Sequence, residues 1–372
     1  MPTQLIFAVG TRAQLIKVAP VVAACESLEL PVTLLMTGQH QETMQDLIDE
    51  FGLRSPQVQA TQASERSTIL SLLRWLPAAY LGIKRKLSQL MVGDADRAYV
   101  LVHGDTLSTL IAAYAARRCG ARIVHLESGL TSGRLFDPFP EEMVRRLVFR
   151  MTDIAMCPNA EAAEYMRRRG HRNVVNTHGN SIIDAVRLTG ASSMIPADDD
   201  AYVLVSLHRF QNLYDSKRLL QLVELVENLA QCRRVNFVLH PATRGRLARE
   251  GYLERLSGID RINLLPRMGY RDFIRLAARA ACVLTDGGSN QEELAALGIP
   301  TIVMRARTER PDGLGSNAIM EQSAPGGVLR YVLEGGVEEL RRAPMDLSVN
   351  GPSYTMARYF AERPSAEEQV AT

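Results

Sequence analysis

Short apolar, β-branched runs recur along the chain, each followed by a helix-length segment in which polar and apolar positions mix. In the first half they fall at Leu5–Val9, Val32–Met36, Ala98–His103, Arg122–Leu126 and Ile154–Cys157. In the second half they fall at Tyr202–Leu207, Asn236–His240, Arg261–Leu265, Cys282–Thr285 and Thr301–Met304. Strands alternating with helices predict parallel sheets built from βαβ units, so the fold class is α/β. Each half holds enough strands for its own sheet, which predicts two Rossmann-like, doubly wound domains facing a central cleft. The seam falls near Asn173–Asp184, and a Pro- and Asp-rich stretch, Pro196–Asp200, leads into the next strand. The expected division is residues 1–177, residues 178–353, and a tail, 354–372, whose helix packs back on the first domain. Carboxyl ends of parallel strands border the expected ligand site.

Composition narrows the class without deciding it. Of 372 residues, 46% are apolar and 23% charged, as in ordinary globular chains with sizeable cores. A net charge of +2 gives no electrostatic case for nucleic acid or a membrane surface. Arginine clusters at Arg117-Arg118, Arg145-Arg146 and Arg167–Arg169 read as solvated helix faces. Five scattered cysteines share no C-x-x-C spacing, so reduced thiols are expected rather than disulfides or a zinc site. The opening MPTQLIFAVGTRAQ lacks a basic leader and carries too short an apolar run for a signal peptide. A cytoplasmic protein with no membrane span is expected.

The most informative stretch is VLTDGGSNQEELAALGIPTIVMRARTER, from Val283 to Arg310. It reads as strand, Gly-rich turn, helix from Gln291 to Leu297, and strand. Such a turn sets small residues and backbone N–H groups at a helix N-terminus, where partial positive charge favours phosphate. Glu292 and Glu293 would stand in the first turn, able to hold a ribose hydroxyl. Other polar groups also sit where strands end. Gly10-Thr11-Arg12 precedes a helix carrying Lys17, and an arginine fork there can meet a phosphate. Asp105 closes VHGDT, either as a functional carboxylate or as a helix N-cap. Glu127 closes HLESGL, and Glu141 and Glu142 open a helix after prolines. Clustered carboxylates favour proton transfer, because burial and mutual repulsion can raise one pKa. No Cys/His cluster accompanies them, so no metal is expected. His208-Arg209 and His240 end strands in the second half, and Phe273 could offer an aromatic face to a base.

In this order the segments GTRAQLIKVAPVV, TGQH, VHGDTLST, HLESGL, PFPEE, GNSIIDA, HRFQN, DGGSNQEE and RTERP resemble the non-hydrolysing UDP-N-acetylglucosamine 2-epimerases, of the glycosyltransferase-B structural class. The resemblance runs from residue 10 to about 313. It implies anti elimination of UDP from UDP-N-acetylglucosamine to a 2-acetamidoglucal, then re-addition of UDP with C2 protonated on the other face. It implies Asp105, Glu127 and Glu141 as the catalytic carboxylates and His208 as the catalytic histidine near the diphosphate. Arg12, Lys17, Gly287, Gly288, Ser289 and Glu293 fall on UDP-binding positions, and Phe273 on the uracil-side aromatic. An allosteric UDP-sugar site, where the family has one, would use Gln39, His40, Arg209 and His240. The implied partners are a UDP-sugar and UDP, with a homodimer as the assembly and no cofactor.

The chain departs from the family pattern in places. Ala13-Gln14 stand where Pro-Glu is usual, Gly287-Gly288-Ser289 replaces Ser-Gly-Gly, and Phe210-Gln211 replace charged residues after His-Arg. The rival readings are a hydrolysing 2-epimerase, a glycosyltransferase using Leu70–Leu81 as a membrane-facing patch, and a non-catalytic sensor. Intact Asp105, Glu127, Glu141 and His208 weigh against the sensor.

Overall fold

The central strands are apolar on both faces because both faces are covered, as in sheets wound with helices on either side. In the computed structural model, which describes residues 4–38, 44–61, 69–91, 98–134, 140–191, 202–308, 310–346 and 350–362, the chain divides into two compact units. The first comprises Met1–Ala185 and Asn350–Thr372, the second Val186–Val349.

The first unit begins with β1 (Gln4–Val9), α1 (Arg12–Ser27), β2 (Val32–Met36), α2 (Gln45–Phe51) and β3 (Gln57–Gln59). Then come α3 (Ile69–Leu90), β4 (Ala98–His103), α4 (Leu107–Arg118), β5 (Arg122–Leu126) and α5 (Glu141–Met151). β6 (Ile154–Cys157), α6 (Ala160–Arg168), β7 (Val174–Asn176) and α7 (Ile182–Thr189) follow, and the boundary falls inside α7. Among the described residues the sheet has seven parallel strands in the order β3-β2-β1-β4-β5-β6-β7. Strand order reverses between β1 and β4, which opens a crevice at their carboxyl ends.

The second unit carries β8 (Tyr202–Ser206), α8 (Phe210–Tyr214), α9 (Ser216–Cys232), β9 (Arg234–Leu239), α10 (Pro241–Arg249) and α11 (Tyr252–Ser257). It continues with β10 (Ile262–Pro266), α12 (Tyr270–Ala278), β11 (Cys282–Thr285), α13 (Gly288–Leu297), β12 (Thr301–Val303), β13 (Ala318–Met320) and α14 (Val328–Leu333). Its described strands are also parallel, in the order β10-β9-β8-β11-β12-β13, so the reversal lies between β8 and β11.

The core of the first unit places Ile6, Val100 and Val102 of the sheet against Trp75, Ala79, Ile83 and Leu87 of α3. Those four recur every fourth residue, one stripe of a helix, and each large aliphatic among them contributes about 1.5–3 kcal/mol by burial. Within the Leu70–Leu81 stretch read as a possible membrane-facing patch, Trp75 and Ala79 belong to this core and Leu81 is exposed. Among the described residues no helix is long and apolar enough to cross a membrane.

The chain returns to the first unit through α15 (Pro352–Ala361), which packs on α1. Pro352 opens the helix, and the buried Asp184 carboxylate accepts from Ser353 N at 2.7 Å. Met356, Ala357 and Phe360 are buried, with the Phe360 ring edge-on to Tyr99.

Three three-residue edge strands, β3, β7 and β13, lie outside the apolar runs read from the sequence. A strand of that length carries too little pattern to be seen, and it forms because its neighbour offers an open ladder. The helix after the Gly-rich turn starts at Gly288 rather than Gln291, so Glu292 and Glu293 lie beyond its first turn.

Candidate active site

The β1–α1 turn of the first unit is held by a buried amide. Thr11 caps α1, accepting from Gln14 N at 3.2 Å. Gln14 Oε1 accepts from Gly10 N at 2.9 Å, while Gln14 Nε2 reaches the His103 carbonyl (2.8 Å), Thr106 Oγ1 (2.9 Å) and Thr109 Oγ1 (2.8 Å). Gln14 thus ties the ends of β1 and β4 together at the switch point, with no net charge. Arg12 lies at the same edge, its guanidinium forked onto Asp46 by two 2.6 Å bonds, which hold the Asp46 carboxyl below its ordinary range.

Glu127 sits one residue past β5 in a left-handed backbone conformation, φ 61°. Such a conformation is uncommon for a non-glycine residue, and the surroundings must enforce it. Gly129 follows at φ 85°, where a β-carbon would lie 2.3 Å from the Ala162 carbonyl, so the turn is pressed against α6. The Glu127 carboxylate is clasped by Lys17 Nζ at 2.7 Å and Asn180 Nδ2 at 2.6 Å, with His103 Nε2 at 3.6 Å. Lys17, read from the sequence as facing phosphate, is buried against this carboxylate.

At the end of β4 the helix cap is Thr106, which leaves the Asp105 carboxylate to a charge-assisted bond from Arg145. Arg145 also donates to Glu142 at 2.7 Å, and Arg146 Nε donates to Glu142 at 2.9 Å. These two arginines are therefore not a solvated face, whereas Arg117-Arg118 and Arg167–Arg169 are exposed. Glu142 is fully buried; burial raises its pKa, but bonds from Thr131, Arg146 and Ser132 N, together with Arg145, outweigh this and hold it low. Its neighbour Glu141, the first residue of α5, is exposed. One glutamate of the pair builds the edge and the other faces outward from it.

Beneath these groups His125 is completely buried. Its Nε2 lies 2.8 Å from the Gly104 carbonyl, which can only accept, so Nε2 carries the proton and Nδ1 faces Ser128 Oγ at 3.1 Å. Burial, reinforced by Arg145, pushes its pKa down to about 4 from the usual 6.5. Between those values the unfolded chain binds the extra proton and the folded chain does not, so stability falls as pH drops through that window. The expected contribution is about 3 kcal/mol at full loss. Urea unfolding at neutral pH and at about pH 4 should show a smaller acid-induced loss in His125→Gln than in the unsubstituted protein. Equal losses would contradict this account of His125.

In the second unit the switch point lies between β8 and β11. Asp286, fully buried, accepts from the backbone N–H groups of His208 and Arg209, both at 3.0 Å, and from Asn212 Nδ2 at 2.8 Å. His208 Nδ1 stands 3.3 Å from the same carboxylate, and the His240 ring is 5.6 Å away. Desolvation lowers the His208 pKa; Asp286 opposes this, while Arg209, Arg305 and Arg267 add to it. The imidazole is then neutral at neutral pH, with Nε2 turned away from Asp286.

The turn after β11 is pinned by Gly287 N donating to Thr285 Oγ1 at 3.1 Å, so α13 opens at Gly288-Ser289 directly beside His208. The first-turn N–H groups of a helix have no intrahelical partners and suit an anion. Glu293 is buried on α13 and accepts from Asn290, whereas Glu292 pairs with Arg310. Phe273 is half-buried on α12, while Tyr270 of the same helix belongs to the core.

The structure thus gathers Arg12, Lys17, Asp105 and Glu127 at one sheet edge, and His208, Gly287, Gly288, Ser289 and Glu293 at the other. Gln39 and His40 lie outside the described residues. Asn180, Arg145, Glu142, Asp286 and Gln14 were not singled out as site residues by the sequence reading. All but Arg145 lie inside the motifs that carry the family resemblance, where a polar residue near a strand end was the available signal. Among the described residues no group of three or more His, Cys, Asp or Glu side chains has metal-binding geometry. Cys25, Cys157 and Cys282 are buried, with thiols pushed up to about 12 by desolvation, so none is poised as a nucleophile.

Two parallel-sheet α/β domains of this kind, each with its polar residues at the switch point, define the glycosyltransferase-B class. Within that class, a family model described as UDP-N-acetylglucosamine 2-epimerase matches residues 23–325, and the chain belongs to this family. The chain is 28% identical to the UDP-N-acetylglucosamine 2-epimerase of Bacillus subtilis over 322 residues, covering 83% of this chain and 80% of that one. It is similar in structure to UDP-GlcNAc 2-epimerase from Neisseria meningitidis bound to UDP-GlcNAc, with TM-score 0.76 and 21% identity, covering 99% and 100% of the two chains. A Staphylococcus aureus MnaA–UDP co-structure gives TM-score 0.75 at 25% identity, covering 98% and 99%.

Proposed function

We propose that this chain interconverts UDP-N-acetylglucosamine and UDP-N-acetylmannosamine by eliminating UDP and adding it back. The C2–H bond has no adjacent carbonyl, so it becomes acidic only as the anomeric C1–O bond breaks and positive charge develops. A carboxylate removes the C2 proton, the C1–O electron pair leaves with the β-phosphate, and a C1=C2 bond forms the 2-acetamidoglucal. In the return step a UDP oxygen attacks C1 and a proton adds to C2 from the opposite face. Atoms and charge balance without an external reactant.

The observation that carries this reading is Glu127, a carboxylate in a left-handed backbone, clasped by Lys17 and Asn180. Backbone strain of this kind persists where the surroundings enforce it and clusters at functional sites, which supports proton transfer at C2 as the task of Glu127. Asp105 and Glu141 share that work in this reading. In this reading Arg12 is the phosphate-facing group of the first unit; in the second unit His208 and the Gly287–Ser289 turn take the diphosphate, Glu293 the ribose and Phe273 the uracil side. Negative charge arriving with UDP would raise the pKa of His208 and let it stabilise the departing phosphate. The relatives named for this reaction, and the Neisseria neighbour described with UDP-GlcNAc bound, support the substrate. In this reading the enzyme is a cytoplasmic homodimer whose product supplies surface polysaccharide synthesis.

Anomeric-proton NMR on UDP-N-acetylglucosamine tests the proposal. UDP-N-acetylmannosamine should accumulate to equilibrium with no net release of sugar. Free sugar and UDP as sole products would assign the hydrolysing reaction instead.

A further inference from the structure

The Gly-rich turn in the second unit has a partner that the substrate roles above leave unused. At Gly287 a β-carbon would lie 2.4 Å from Asn290 Oδ1 and 3.3 Å from His208 Cε1. Asn290 therefore fills the space that any side chain at 287 would need. Its amide is fixed at both ends. Thr285 Oγ1 accepts from Gly287 N and donates to Asn290 Oδ1 at 3.1 Å; Asn290 Nδ2 donates to Glu293 Oε2 at 2.9 Å. One chain of hydrogen bonds thus runs from the turn backbone through Thr285 and Asn290 to a glutamate that is almost wholly buried.

We propose that Asn290 is a positioning residue for nucleoside diphosphate binding, locking the Gly287 turn and the Glu293 carboxylate into one arrangement. The inference rests on the reading of the Gly287–Ser289 turn and Glu293 as UDP-binding groups. It makes positions 287 and 290 interdependent: glycine is required at 287 because asparagine stands at 290. It also sets the polarity of the link. The Asn290 amide offers a donor to Glu293, where an aspartate would set one carboxylate against another.

Calorimetric titration of UDP into the full chain, alongside steady-state kinetics, tests this. Gly287→Ala should weaken UDP binding about tenfold, because the added carbon must push the Asn290 amide off its bonds to Thr285 and Glu293. Asn290→Ala should raise KM more than it lowers kcat, and Asn290→Asp should weaken UDP binding further than Asn290→Ala does. In the double variant, Gly287→Ala should cost at most about threefold relative to Asn290→Ala alone, since the obstructing amide is gone. Circular dichroism identifies any variant that fails to fold, and the comparison between the two Asn290 variants then stands alone. A Gly287→Ala penalty of equal size in both backgrounds, or unchanged UDP affinity in both Asn290 variants, overturns the proposal. Protein that binds UDP with this coupling but epimerises nothing removes the epimerase reading and leaves the inference standing; protein that binds no UDP removes both.

Discussion

Glu127→Gln should lower turnover of UDP-N-acetylglucosamine about 10²-fold or more, and Asp105→Asn and Glu141→Gln should do the same. Each substitution keeps the shape of its side chain and removes its ability to carry a proton. The three groups reach that requirement differently. Glu127 is held by Lys17 and Asn180, Asp105 is held by Arg145, and Glu141 is exposed at the start of α5. UDP affinity should fall far less than kcat in all three, because protons rather than phosphates are their assigned cargo. Single-turnover kinetics with parallel UDP titration separates the two quantities. Near-normal turnover in all three variants would remove the carboxylates from the chemistry.

The largest stability effect is expected at Glu142. It is fully buried and accepts from Thr131 Oγ1 at 2.5 Å, Ser132 N at 3.2 Å, and both Arg145 and Arg146. Removing one partner from a buried ionic network leaves the others desolvated and uncompensated, at a cost of about 3–5 kcal/mol. Glu142→Ala should therefore lower the denaturant midpoint sharply while leaving the m-value in place. Turnover should fall too, because Arg145 loses the contact that aims it at Asp105. A Glu142→Ala protein as stable as the parent would mean that the network contributes nothing net. The carboxyl is held low in the folded state, so the stability it supplies is present above the ordinary glutamate range and lost as pH falls through the lowered value.

What could be read from the sequence follows from how each feature is encoded. Central strands such as Val32–Met36 and Ala98–His103 match their apolar runs to the residue, because burial on both faces writes a nearly continuous apolar run. The edge strands β3 and β13 are written nowhere locally; they exist by pairing with β2 and β12. Polar residues at strand ends were legible as candidates because a charged group at a parallel strand's carboxyl end needs a partner or a task. Their partners were not. Lys17 and Glu127 are separated by 110 positions, and Asn180 reaches Glu127 across 53. Arg145 and Arg146 resembled a solvated pair until Glu142 proved to lie beneath them. Gln14 stands where the family pattern has a glutamate, and its neutral amide bridges two strands by accepting and donating at once, which a carboxylate cannot do.

In the proposed reaction the C2–H bond breaks and re-forms by exchange with solvent protons while UDP departs and returns. Incubation with UDP-N-acetylglucosamine in D2O, followed by NMR, measures this directly. Deuterium should appear at C2 of both epimers, without added NAD. Epimerisation that keeps the original hydrogen at C2 would contradict elimination through a glycal.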